Sequence, residues 1–296
     1  MSQVKIPEHM AESARAVIEG KVPPATPRDA ATVMLLRPAP ALLAEPTEPA
    51  AGPDEAVAGH GFEVYMLRRK PSMAFAPGAY VFPGGSVDQR DADEEVGWAG
   101  PGPGHWGRVF DAPPELARAL VCAAVRETFE ESGVLLAGPS AGTVVADTTG
   151  DDWEADRQAL LDRSLSLAEM LARRDLILRS DLLRPWSRWI TPAVERRRFD
   201  ARFFAAALPA GQRTRDVGGE AAAVQWIAPA AALDAGRAGE IQLWLPTAMT
   251  LAELAEYAGV DAALGAQREV RPLLPEVVVE RGSTWLKVPG NRDYPL

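Results

Sequence analysis

The chain has 296 residues, 47% of them hydrophobic, which is enough to bury one large core or two smaller ones. A formal net charge of −10 excludes a general nucleic-acid binder, whose affinity would rest on many Lys and Arg contacts to phosphate, so any phosphate site must be local. The single Cys122 excludes an internal disulfide; a reducing cytoplasm is the simplest location, with the thiol as a small buried apolar group.

Residues 1–28 read as a short polar helix and a Pro-rich lead-in whose order the sequence leaves open. Thr32–Arg37 and Phe62–Arg69 read as strands, the second with partial alternation. Between them Pro38, Pro40, Pro46, Pro49 and Pro53 expand a hairpin into a long, mobile connection. Tyr80-Val81-Phe82-Pro83 is a strand running into a turn at Gly84-Gly85, where backbone can approach a ligand closely. Gln89–Pro114 mixes Asp, Gly, Pro and Trp without period. It is expected to be a loop outside the sheet, either a lid or a surface elaboration.

Leu116, Leu120, Ala123 and Ala124 then mark one stripe of a helix, stopped at Gly133 as by a C′ glycine, with Val134-Leu135-Leu136 as a short buried strand. Trp153–Arg179 contains a helical pattern, Trp186–Thr191 and Arg202–Leu208 read as paired strands, and Ala223–Ile227 as another. Pro246–Ala258 suits a late helix with Pro near its first turn. Alternating helices and strands of mixed direction imply an α/β (α+β) class, an α/β/α sandwich on a mixed β-sheet with extra helices and loops. Residues 29–296 form the expected single domain, with insertions at about 38–61 and 89–114. No stretch has the apolar length of a transmembrane helix, Met1–Gly20 is too polar for a secretory signal, and Asp293-Tyr294-Pro295-Leu296 is not a peroxisomal tripeptide. A cytoplasmic protein without membrane or nucleic-acid partner is expected, and a homodimer is compatible with the sequence.

The densest chemistry lies in Arg126-Glu127-Thr128-Phe129-Glu130-Glu131-Ser132-Gly133-Val134. Glu127, Glu130 and Glu131 stand at i, i+3 and i+4, so their carboxylates share a face with the apolar stripe. They repel one another and oppose the macrodipole, which raises their pKa values unless a metal ion or an arginine neutralises them. Hard oxygen ligands favour Mg²⁺ or Mn²⁺ over zinc. The competing interpretation is an exposed acidic last turn.

Arg126 is expected to pair with the acids rather than with substrate. Arg196, Arg197 and Arg198, and to a lesser degree Arg68-Arg69-Lys70, could hold a pyrophosphate or a 3′-phosphate, or could be solvated charge runs. Trp189 and Phe199 could stack an adenine or belong to the core. His9, His60 and His105 are far apart and near no Cys, which supports neither a zinc site nor a triad.

The strand, the diglycine and the acidic helix together resemble the Nudix hydrolase signature, Gly-x5-Glu-x7-Arg-Glu-U-x-Glu-Glu-x-Gly-U, where U is a bulky aliphatic residue. Gly85, Arg126, Glu127, Glu130, Glu131, Gly133 and Val134 occupy its positions. Asp91 stands where the first Glu would, and residues 92–125 intervene where the pattern has seven, so the box carries an insertion. Pro77–Gly85, Arg126–Glu131, Trp189-Ile190-Thr191-Pro192 and Arg197–Phe204 further resemble the peroxisomal coenzyme A diphosphatase branch.

The resemblance implies metal-dependent cleavage of a pyrophosphate in a nucleoside diphosphate derivative such as coenzyme A or acyl-coenzyme A. Glu127, Glu130, Glu131 and the Gly85 carbonyl would hold Mg²⁺ or Mn²⁺, Gly84 and Gly85 would meet substrate, and a box glutamate or Glu220 would be the general base. Hydrolysis of ADP-ribose or a related compound, and a non-catalytic Nudix-like sensor, are the alternatives.

Overall fold

The computed structural model describes residues 3–5, 14, 16–40, 61–73, 76–93, 95–215, 221–280, 283–287 and 294–296. Strands β1 (Gln3–Lys5), β2 (Arg28–Pro38), β3 (Phe62–Arg69), β4 (Tyr80–Val81) and β5 (Gly84–Ser86) come first. A 3-10 turn (Gln89–Ala92) and β6 (Trp98–Ala99) lead to helices α1 (Pro103–Phe110) and α2 (Pro114–Ser132). Then follow β7 (Ala137–Gly138), α3 (Asp151–Leu161), α4 (Leu167–Arg173), β8 (Ile177–Arg179), β9 (Arg184–Ile190), β10 (Phe199–Ala207) and β11 (Ala221–Ile227). The chain closes with α5 (Pro229–Arg237), α6 (Leu245–Leu254), α7 (Val260–Gly265), β12 (Pro272–Leu273), β13 (Glu276–Glu280) and β14 (Ser283–Lys287).

The main sheet has the order β11-β3-β2-β10-β9-β12, with β4 added to β3 and β5 to β2. It is mixed: β10 runs parallel to β2 and β12 parallel to β9, while the other pairs are antiparallel. Successive residues of β2 serve opposite faces, as the pleat requires: Val33 and Leu35 pack on the α2 side, Met34 and Leu36 on the side of α5 and α6. Helices on both faces explain why β2 reads as a continuous apolar run rather than an alternation. The result is the expected α/β/α sandwich.

The second half of the sequence pattern resolves with local corrections. The helical stretch after Trp153 divides into α3 and α4, the latter begun by a Ser166/Glu169 capping box, and its end turns into β8. Val134, Leu135 and Leu136 are buried but form no strand. The Gln212 side chain takes the place of a neighbouring strand, accepting from Leu135 N–H at 2.9 Å and donating to Leu135 O at 2.9 Å. Most of the Pro-rich connection, residues 41–60, lies outside the described residues.

The insertion departs most from expectation. Far from a structureless loop, it holds the 3-10 turn, α1, and β6, which joins β8 in a small side sheet. Gly102, Pro103 and Gly104 at the start of α1 hide its helical period. Trp106 and Phe110 are 1% exposed and meet Phe204 of β10 with ring centroids 5.5 and 5.0 Å away. The carbonyl of Pro101 accepts from Trp98 Nε1, Trp106 Nε1 and Ser180 Oγ, fastening the segment to the rest of the chain. Trp106 is a core residue rather than a lid residue. Trp106→Ala is expected to lower unfolding stability by about 3–5 kcal/mol, read as a shifted urea midpoint; an unshifted midpoint with altered kinetics would restore the lid.

Candidate active site

Gly84 and Gly85 sit in strand β5, opposite Thr32 and Ala31, and not in a turn as the sequence suggested. Neither has positive φ; among the described residues that backbone region is occupied by other glycines and by Ala76, Asp111, Arg163 and Asp175. What requires glycine here is crowding. A Cβ on Gly84 would lie 2.4 Å from the Ala31 carbonyl oxygen, and one on Gly85 would lie 2.5 Å from a carboxylate oxygen of Glu127. The acidic face of α2 is thus pressed against β5, and Gly84 N–H donates to Glu131 Oε2 at 2.8 Å. Helix α2 ends at Gly133 with φ 74°, the left-handed stop expected there.

Arg126 joins the acids to the first half of the motif. Its Nε and Nη2 donate to the two carboxylate oxygens of Asp91, both at 2.9 Å, a bidentate pair that is almost fully buried. Its Nη1 donates to Glu127 Oε1 at 2.7 Å and Glu130 Oε1 at 3.2 Å, and Nη2 also reaches Ser86 O at 3.0 Å. Asp91 is aimed by its own turn, in which Asp88 N–H donates to Asp91 Oδ2 at 2.8 Å. Burial opposes the charge on Arg126, yet the Asp91 hydrogen bonds and the Glu127 and Glu130 charges hold the guanidinium protonated, well above its ordinary range.

The carboxylates feel the same burial in the other direction. Desolvation, only partly offset by Arg126 and reinforced by Glu130, pushes Glu127 up to about 7; burial also raises Glu130. A raised folded pKa means that the folded state keeps a proton the unfolded chain has lost. Glu127 therefore contributes stability below its unfolded value of 4.5 and loses it as pH rises through about 7. In chelator-treated protein the melting temperature should fall between about pH 5 and about pH 8, and Glu127→Gln should flatten that slope. The same slope in the variant would assign the effect elsewhere.

Among the described residues, no three Asp, Glu, His or Cys side chains already surround one point as a closed metal cage. The reason is visible in the bonds: Arg126 takes Glu127 and Glu130, while Glu131 is turned to Gly84. The donor set nonetheless fits a hard divalent cation by type and neighbourhood. The enclosed carboxylates of Glu127 and Glu130, with raised pKa values, lie on the helix face that meets Gly84 and Gly85, which have no side chains to exclude an ion.

Other candidate residues lie elsewhere. Arg196 and Arg197 are exposed in the β9–β10 connection, and Arg198 donates to Thr191 O at 3.0 Å and Ala25 O at 2.7 Å. That connection adjoins Arg28, whose N–H donates to Arg198 O. Arg28 precedes the Gly85 partner Ala31 by three residues, roughly 10 Å along β2 and on the β10 side of it. Arg68 and Lys70 are exposed at the end of β3. Trp189 belongs to the core on the α5–α6 face, Phe199 is half-buried in β10, and His105 is exposed on α1. His9, His60 and Glu220 lie outside the described residues. Sequence reasoning missed Arg157, whose Nη1 donates to the Glu130 carbonyl; the only trace was a basic residue inside a helical pattern.

The family model described as the NUDT19 Nudix domain matches residues 109–254, which include the acidic helix but not the diglycine. The chain is 29% identical to the acyl-coenzyme A diphosphatase NUDT19 of Homo sapiens over 251 residues, covering 72% of this chain and 66% of that protein. It is 25% identical to the Xenopus laevis protein of the same name over 243 residues, covering 68% of this chain and 61% of that one. The chain thus spans less than two thirds of either relative. Among solved structures, a NUDIX hydrolase from Alicyclobacillus acidocaldarius superposes with TM-score 0.64 at 26% identity, over 83% of this chain and 98% of that one. A sandwich shared over nearly the whole length of a solved NUDIX hydrolase, with a Nudix domain model that spans the acids of α2, makes the chain similar to the Nudix hydrolases and, among them, to the coenzyme A diphosphatase branch.

Proposed function

We propose that this chain hydrolyses the pyrophosphate bond of coenzyme A or acyl-coenzyme A, in a reaction that requires Mg²⁺ or Mn²⁺. The observation that carries the reading is the acidic face of Glu127, Glu130 and Glu131 pressed against β5 at Gly84 and Gly85, which have no side chains. The choice of substrate rests on the named activity of the human and Xenopus laevis relatives.

Glu127, Glu130, Glu131 and the Gly85 carbonyl would hold the cation, which when bound supplies positive charge to the pyrophosphate and acidifies a water. Arg126 keeps Glu127 and Glu130 aimed at β5 while its own charge is spent on Asp91. Gly84 and Gly85 let the pyrophosphate approach the backbone. A box carboxylate or Glu220 accepts the water proton, the water oxygen bonds to phosphorus, and the bridging P–O bond breaks, releasing 3′,5′-ADP and a phosphopantetheine. Arg196 and Arg197 are the exposed cations offered to outlying phosphate.

The test is purified protein with Mg²⁺ or Mn²⁺ against coenzyme A, acyl-coenzyme A, ADP-ribose, NADH and diadenosine polyphosphates, with products identified by mass. Release of 3′,5′-ADP from coenzyme A is expected. Cleavage of ADP-ribose with coenzyme A untouched would move the substrate, and a blank panel would leave a ligand sensor.

A further inference from the structure

Helix α2 ends inside the protein, where carbonyls need donors and the negative pole of the helix meets three carboxylates. Several groups supply those donors. Gly133 N–H donates to Phe129 O at 2.9 Å, Arg215 N–H to Ser132 O at 3.0 Å, and Ser132 Oγ to Thr128 O at 2.5 Å. The Glu130 carbonyl accepts from Arg157 Nη1 at 2.8 Å. Arg157 comes from α3 and is 1% exposed, so it reaches neither solvent nor substrate. Its other edge is gripped by Glu154, with Nε to Oε2 at 2.9 Å and Nη2 to Oε1 at 2.6 Å. Glu154 is held in turn by Gln158 Nε2 at 2.9 Å and by Arg215 Nη1 at 3.5 Å. Trp153 of α3 also meets Phe129 edge-on, with centroids 6.1 Å apart.

We infer that Arg157 is a positioning residue of the site: from behind α2 it clamps the Glu130 peptide, and with Glu154 it fixes the angle at which Glu130 and Glu131 face β5. Glu130 is then held twice, its carboxylate by Arg126 in front and its carbonyl by Arg157 behind. A guanidinium is required because one planar group must bridge a carbonyl and both oxygens of Glu154, which an ammonium cannot do. This inference rests on the proposed metal role of the glutamates.

The experiment uses the full chain, with Mn²⁺ titrated calorimetrically in the absence of substrate and kcat and KM measured in parallel. Arg157→Met is expected to weaken Mn²⁺ binding by about tenfold and to lower kcat by a similar factor with little change in KM, as outer-shell partners of metal ligands do. Arg157→Lys should fall between it and wild type. Glu154→Gln loosens the clamp while keeping the guanidinium and its bond to the Glu130 carbonyl; it should weaken Mn²⁺ binding by about threefold, and together with Arg157→Lys it carries the test if Arg157→Met does not fold. Wild-type Mn²⁺ affinity and kcat in folded Arg157→Lys and Glu154→Gln would overturn the inference alone. No Mn²⁺ binding by the wild type would overturn the proposed function and this inference with it.

Discussion

Glu131→Gln is expected to lower kcat/KM by about a hundredfold or more, equivalent to about 2.7 kcal/mol of transition-state stabilisation, while the protein stays folded. The separation follows from what Glu131 touches. Its Oε2 accepts from Gly84 N–H, and the glutamine amide oxygen can accept the same bond at nearly the same volume, so β5 remains docked on α2. Only the negative charge is lost, and under the proposed mechanism that charge is a metal ligand. The readout is kcat and KM at saturating Mn²⁺ beside a melting curve. Near-normal turnover would remove Glu131 from the chemistry and leave it as a strand anchor.

Arg126→Met should have the largest effect on the fold itself, a loss of about 3–5 kcal/mol, because it strands buried carboxylates rather than merely deleting a bond. Asp91, Glu127 and Glu130 all meet this guanidinium, and none of the three is well exposed to water. Protonation can relieve part of the penalty, since burial already raises Glu127 and Glu130. The destabilisation should therefore be smaller at about pH 5.5 than at about pH 8. Urea midpoints at the two pH values decide it; equal midpoints for variant and wild type at the higher pH would show that the cluster does not depend on its arginine.

Much of this was legible in the sequence because it is local. The i, i+3, i+4 acids, the Gly133 stop and the apolar stripe of α2 depend on helical period alone, and strand β3 spans the residues expected of it, Phe62–Arg69. What could not be read depends on partners distant in the chain. Gly84-Gly85 carries the same composition as a turn, and only the approach of Glu127 shows why Cβ is forbidden there. Val134–Leu136 reads as a strand because it is apolar, yet the N–H and carbonyl of its central residue, Leu135, bond to the Gln212 side chain. Helix α1 was hidden because Gly and Pro crowd its first turn, although Trp106 and Phe110 at i and i+4 already form a core-facing pair. The arginines show the same limit. Sequence singled out the run at Arg196–Arg198, while the buried one that grips the Glu130 carbonyl, Arg157, lies in an ordinary helix.

The Asp91–Arg126 pair and the seating of Glu127 on Gly85 have a consequence for how such a site can diverge. The two halves of the motif are clasped in space, so the length of chain between them is nearly free to drift. Doubling a connecting segment adds only about 0.6 kcal/mol of closure entropy, little beside a buried bidentate ion pair. Residues 92–125 could therefore accumulate α1 and β6 without moving the acids, provided the new material buried its own aromatics, as Trp106 and Phe110 do. Kinship among such chains is then better sought in the identity of the clasping pair than in the count of residues that separates them.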